Sequence, residues 1–251
     1  MRRALTIILL ILIGVLGAAI IFAGLGFKYA YEPGREMVMS RVRLAPEGYD
    51  LWGRTFTQEQ SASLLQTSAG RTQLSPKNGA VKVDGGLLQL GRDAFYKATF
   101  NNELFLTDVV GILDGPLRIR NVARAILALK GNGTTNLRVR VPETVTIGDR
   151  QFERESYFDT GLDVPRGALV PLGMAISVSR WRLRVGITCA LCHATVDPET
   201  RKVIEGAPNQ DLNAGLLLAL GTNSAAYFMH TDVDPANVPK DLQRTVTIFH
   251  R

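Results

Sequence analysis

Cys189, Ala190, Leu191, Cys192 and His193 hold both cysteines of the chain and one of its three histidines. Thiols three positions apart fall on one face of a helical turn. An imidazole directly after the second thiol can swing to the same side. This set meets the needs of a porphyrin held by one edge: two thiols for its two vinyl groups and one nitrogen for its iron. Cys-x-x-Cys-His is the sequence of c-type haem attachment, with the histidine as proximal axial ligand. The expected cofactor is therefore one covalent haem c on Cys189, Cys192 and His193.

Other chemistries would use part of the same stretch. A thioredoxin-like redox pair lowers the first thiol's pKa at a helix N-terminus. It has no use for His193, and the flanking sequence lacks a βαβ frame. A structural zinc ion needs four ligands, which His230 and His250 would have to complete. A disulfide across two residues would close a tight loop, and two cysteines in one pentapeptide exclude a scaffold of spaced bridges.

The segment after the motif adds a second signal. A polar turn, Asp197-Pro198-Glu199-Thr200, returns the chain, and Gly206-Ala207-Pro208-Asn209 follows. In this respect the chain resembles class I c-type cytochromes. The resemblance implies that the Pro208 carbonyl accepts the His193 Nδ1–H, fixing the ring's tautomer. It also implies a downstream methionine on the iron, for which Met229 is the candidate. His230, His250, an open position or another chain's ligand are the alternatives. Met37, Met39 and Met174 read as packing residues. Asp211 is expected to cap a helix whose Leu212, Leu216, Leu217 and Leu220 form an apolar wall.

The N-terminus suggests where such a site would face. Met1-Arg2-Arg3 precedes an uncharged run from Ala4 to Phe27. As a helix it would extend roughly 36 Å, enough to cross a hydrocarbon core of about 30 Å. Arginines stay on the cytoplasmic side. The expectation is a single-pass anchor in the inner (cytoplasmic) membrane, with the N-terminus cytoplasmic and the haem domain periplasmic. Phe27, Tyr29 and Tyr31 would sit at the outer interface. A cleaved signal peptide exports the chain in the same direction, but the run is longer than an h-region and lacks a clear A-x-A site.

Between these ends the patterning is mixed. Residues 28–48 read as a stalk, Gln58 to Gln73 as one weak helix, and Ser75 to Gly86 as loop or hairpin. Arg92 to Leu113 has helical spacing, broken at Asn101-Asn102. A helix to Lys130 should bury Ile119, Val122, Ala123, Ile126 and Leu127, leaving Arg118, Arg120 and Arg124 as solvated charges, with Gly131 just past its end. Leu137 to Thr160 alternates and predicts a small antiparallel hairpin or sheet. The expected fold class is mainly α with a small β hairpin or sheet: an N-terminal transmembrane helix plus an exported cytochrome c-like haem domain. Boundaries fall at 1–30 for the anchor, 31–164 for a helical and β region, and 165–251 for the haem-binding region. The net charge of +6 is spread without a basic run interleaved with aromatics, so nucleic acid is not expected.

A further stretch, Leu90-Gly91-Arg92-Asp93-Ala94-Phe95-Tyr96 with Phe100-Asn101-Asn102, is similar to the segment before the first haem motif of dihaem cytochrome c peroxidases and rubber oxygenase relatives. No cysteine precedes Cys189, so the resemblance implies a member lacking the first covalent haem. The expected function is electron transfer through one haem c, as an anchored cytochrome or a haem subunit of a membrane redox complex, with redox proteins as partners. The alternative is a peroxidase- or oxygenase-like haem enzyme with an open distal site.

Overall fold

The computed structural model describes residues 26–39, 47–147, 150–179 and 182–224, together with Gly14 and Gly17. About 34% of the chain is helical and 25% is strand, and the strands form several small sheets. The expectation of a mainly α protein is corrected by that balance. Its cause is legible: alternating apolar runs recur in short pieces, each long enough to pair but too short for a broad sheet.

The sheet nearest the cysteines has three antiparallel strands in the order Phe27–Ala30, Met174–Ser179, Arg182–Ile187. Phe27 was expected at the outer end of a membrane span, and residues 28–48 in a stalk. Instead Phe27 pairs with Val178 and Ala30 with Ala175, and Val38 bridges Val203. Among the described residues no helix is long and apolar enough to cross a membrane. The single-pass placement with a periplasmic haem domain is corrected accordingly. Most of the run on which it rested, residues 4–25, lies outside the described residues.

A second sheet pairs Gly48–Leu51 with Arg54–Phe56 and with Ala80–Val83, so the stretch 75–86, expected as loop or hairpin, supplies a strand. The single helix expected over 58–73 is two, Gln58–Leu65 and Ser68–Gln73. Thr57 opens the first with a reciprocal capping box to Gln60, and the Thr67 hydroxyl accepts the Gly70 amide. Two N-caps in one polar stretch specify two starts.

The Gly85–Lys97 helix begins at Asp84, whose carboxylate accepts the Leu87 amide. It stops before Phe100 and Asn101, both at positive φ. The chain then turns through Asn102–Leu104 into a π-helical turn at Phe105–Val109. The Ile119–Ala128 helix forms as expected, but it buries Val122 and Ile126 while Leu127 is 70% exposed. Its inner stripe runs through Val122, Ala125, Ile126 and Leu129, rotated from the expected face. Truncating Ile126 to Ala would cost about 2–4 kcal/mol.

Leu137, Val139 and Val141 are fully buried on one face, as their alternation required. Arg138–Arg140 pairs with Tyr157–Asp159, and Val145–Ile147 with Arg150–Phe152. The main core joins this face to Ile126, Phe158, Leu162, Leu191, Leu217 and Leu220, so it draws on both sides of position 164. A second core packs Tyr96 with Leu172, Ala190, Ala194, Val196 and Val203.

Candidate haem-attachment site

Ala190–His193 forms one helical turn, with Cys189 at its N-cap in helical geometry and Ala194 beginning an extended strand. The His193 amide closes the turn on the Cys189 carbonyl at 3.0 Å. Burial alternates with chemistry. Ala190 and Leu191 are buried in the two cores, whereas Cys189, Cys192 and His193 are exposed. Both thiols are free, so no disulfide closes the motif. Two apolar residues thus act as pegs that turn the three reactive groups outward together.

The turn sits between antiparallel pieces rather than in a βαβ unit. Arg182–Ile187 leads in, and Ala194–Val196 leads out to pair with Val203–Glu205. Asp197 shapes the connecting turn: its carboxylate accepts the Glu199 and Thr200 amides and the Thr200 hydroxyl. Those bonds hold its pKa below the ordinary value.

The Gly206–Asn209 stretch folds back over the motif. The Gly206 amide donates to the His193 carbonyl at 2.8 Å, and the Asn209 amide donates to the Cys192 carbonyl at 3.0 Å. Pro208 lies exposed between these two ties. No hydrogen bond links its carbonyl to the His193 ring among the described residues. Asn213, not Asp211, caps the next helix: its side chain accepts the Leu216 amide at 3.2 Å, and the helix runs Ala214–Ala219. Leu217 and Leu220 are buried and Leu212 and Leu216 partly so. Met229, His230 and His250 lie outside the described residues.

Five supports of the turn were not read as such from sequence. Asn102 bonds the Ile187 backbone through both ends of its amide, donating to the carbonyl at 2.7 Å and accepting from the N–H at 2.9 Å. Thr107 does the same at Val185. Side chains thus satisfy the outer edge of the Arg182–Ile187 strand where a fourth strand would otherwise pair. Gly173, at φ 74°, lies so close to the Leu191 amide that a Cβ would fall 1.9 Å from that nitrogen. Glu205, opposite Ala194 in the hairpin, accepts from Tyr96 Oη at 2.8 Å and pairs with Arg92 at 3.0 Å. Burial, reinforced by that carboxylate, pushes the Tyr96 phenol far above its ordinary pKa.

Asp163 is the fifth support. It is 1% exposed; its Oδ2 accepts from Thr195 Oγ1 and from the Val196 amide, each at 2.7 Å. Oδ1 is buried without a hydrogen-bond partner among the described residues. Burial pushes the pKa up to about 6 against the pull of the Thr195 and Val196 bonds, with Asp211 adding to the rise.

No protein-family model matches the chain, nor does any curated protein or solved structure. Among the described residues no group of three or more His, Cys, Asp or Glu side chains is placed to hold a metal ion, which leaves the four-ligand zinc alternative without support there. Two thiols and one imidazole, all outward, suit a group that brings its own equatorial ligands. A porphyrin is such a group.

Proposed function

We propose that the chain is an electron-transfer protein carrying one c-type haem, with Cys189 and Cys192 as thioether donors and His193 as proximal ligand. The observation that carries this reading is the shared exposure of three reactive side chains on a turn whose intervening residues are buried. Thioether formation requires reduced thiols, and both cysteines are free.

When bound, haem supplies a one-electron Fe(III)/Fe(II) couple, whose potential is set by ligands, burial and hydrogen bonds. The chain's own part is to hold and orient. The buried Ala190 and Leu191 fix the turn, and the Gly206 and Asn209 amides fix the return segment that carries Pro208. On carry-over from class I cytochromes, Pro208 orients the imidazole and Met229 completes the iron. Catalysis then belongs to a redox partner protein that takes or delivers the electron.

A pyridine haemochrome spectrum with an intact mass raised by one haem tests the proposal. Alkylation of both Cys189 and Cys192 in the mature protein, with no porphyrin mass and no Soret absorption, would end it.

A further inference from the structure

The Ile119–Ala128 helix and the Arg138–Arg140 strand face each other across a cleft of about 570 Å³. Arg120 and Arg124, one helical turn apart, line one wall; Arg138 and Arg140, alternate residues of the strand, line the other. Ala125, Ala128, Leu129 and Tyr157 also line the cleft and, being exposed or half-buried, add accessible apolar surface. Its volume is in the range of small-molecule sites.

The two walls differ in charge balance. Arg138 pairs with Asp159 at 3.0 Å, and Arg140 pairs with Glu155. Arg120 and Arg124 have no carboxylate partner among the described residues. Like charges one turn apart on a helix repel, so this wall holds two uncompensated guanidinium groups beside apolar surface. A guanidinium fork matches carboxylate and phosphate oxygens in pairs.

We propose that this cleft binds a small organic dianion, a phosphate monoester or a dicarboxylate. Its charged groups meet Arg120 and Arg124, and its apolar body lies against Ala125, Ala128, Leu129 and the Tyr157 ring. The excess of two positive charges sets the ligand's charge, and the apolar lining selects an organic body over a bare inorganic ion. This site is independent of the haem reading.

Isothermal titration of the full chain with phenyl phosphate and with phthalate tests it, with inorganic phosphate and benzyl alcohol as comparisons. At least one organic dianion should saturate a single site below about 10 mM, with benzyl alcohol silent. Which of the two binds more tightly identifies the headgroup. The double variant Arg120→Ala, Arg124→Ala keeps strong helix formers at exposed positions and should weaken binding by about tenfold or more. Arg120→Lys with Arg124→Lys, which keeps the charge but loses the fork, should fall between. Failure of both dianions to saturate, or equal affinity in the double alanine variant, overturns the site. Inorganic phosphate binding as tightly as phenyl phosphate overturns the role of the apolar lining.

Discussion

The carboxamide of Asn102 clamps both backbone polar groups of Ile187, two residues before the first cysteine of the Cys-x-x-Cys-His turn. A side chain 85 positions away thus does the work of a neighbouring strand. Asn102→Ala removes both bonds and leaves a part-buried N–H and C=O without partners. The expected loss is about 2–3 kcal/mol, read as a lower urea midpoint at unchanged m-value. Asn102→Asp keeps the acceptor but sets a carboxylate oxygen against the Ile187 carbonyl, so it should not rescue the loss. A midpoint unmoved by Asn102→Ala would mean that the clamp does not stabilise the strand.

Gly173 and Gly167 form a natural control pair. Both have positive φ, 74° and 76°, but a Cβ at Gly167 meets nothing within 4 Å while one at Gly173 meets the Leu191 backbone. Gly167→Ala should cost about 1–2 kcal/mol from backbone strain alone. Gly173→Ala should cost clearly more and displace the Cys-x-x-Cys-His turn. Equal costs from the two would show that the close approach to Leu191 carries no constraint.

Asp163 gives a pH prediction with a definite sign. Its folded pKa, about 6, lies above the ordinary 3.8. The folded state therefore holds this proton more tightly than the unfolded state does. The resulting stabilisation is full below about pH 4 and is lost as pH rises through about 6, amounting to roughly 2–3 kcal/mol. Asp163→Asn keeps an oxygen for the Thr195 and Val196 bonds and does not titrate. Its Tm relative to the parent should rise between pH 4 and pH 7, at roughly the midpoint set by that carboxyl. A gap independent of pH would refute the buried carboxylate.

The cysteine variants separate the two thioether links. Cys189→Ala or Cys192→Ala should leave one unsaturated vinyl and move the pyridine haemochrome α-band to longer wavelength. His193→Ala should retain haem mass but lose the low-spin spectrum of a histidine-ligated iron. Met229→Ala should lower the reduction potential, because a thioether ligand raises it. Unchanged potential and spectrum in that variant would remove Met229 from the iron.

How much of this was legible in the sequence depended on the range of the determinants. The pentapeptide is local, so the placing of both thiols on one helical turn was legible. The alternation of Leu137, Val139 and Val141 is also local and gave a buried face. By contrast, the turn's supports come from positions whose meaning is tertiary. Asn101-Asn102 reads as a helix break, and only folding brings Asn102 to Ile187. Asp163 sat in a stretch that reads as a linker, because Gly161, Pro165, Gly167, Pro171 and Gly173 are breakers. In the fold Leu162, Val164, Val170 and Leu172 between them are buried. Leu127 failed as a core residue because the apolar stripe on its helix is broad enough to accept either rotation, and Ala125 and Leu129 won the contact. The apolar N-terminal run gave a strong membrane signal from hydropathy alone. Its end at Phe27 is nevertheless committed to a sheet, through a partner strand far along the chain.

That pairing has a kinetic consequence. Phe27–Ala30 closes on Met174–Ser179, and Val38 on Val203, so the sheet beside the cysteines cannot assemble until nearly all of the described chain has been synthesised. Closing such long loops is entropically slow, and topologies dominated by distant contacts fold correspondingly late. All three strands of that sheet leave the ribosome ahead of Cys189, whereas Val203–Glu205, which pairs with the strand after His193 and bridges Val38, follows it, so the pentapeptide emerges while its return hairpin is still incomplete.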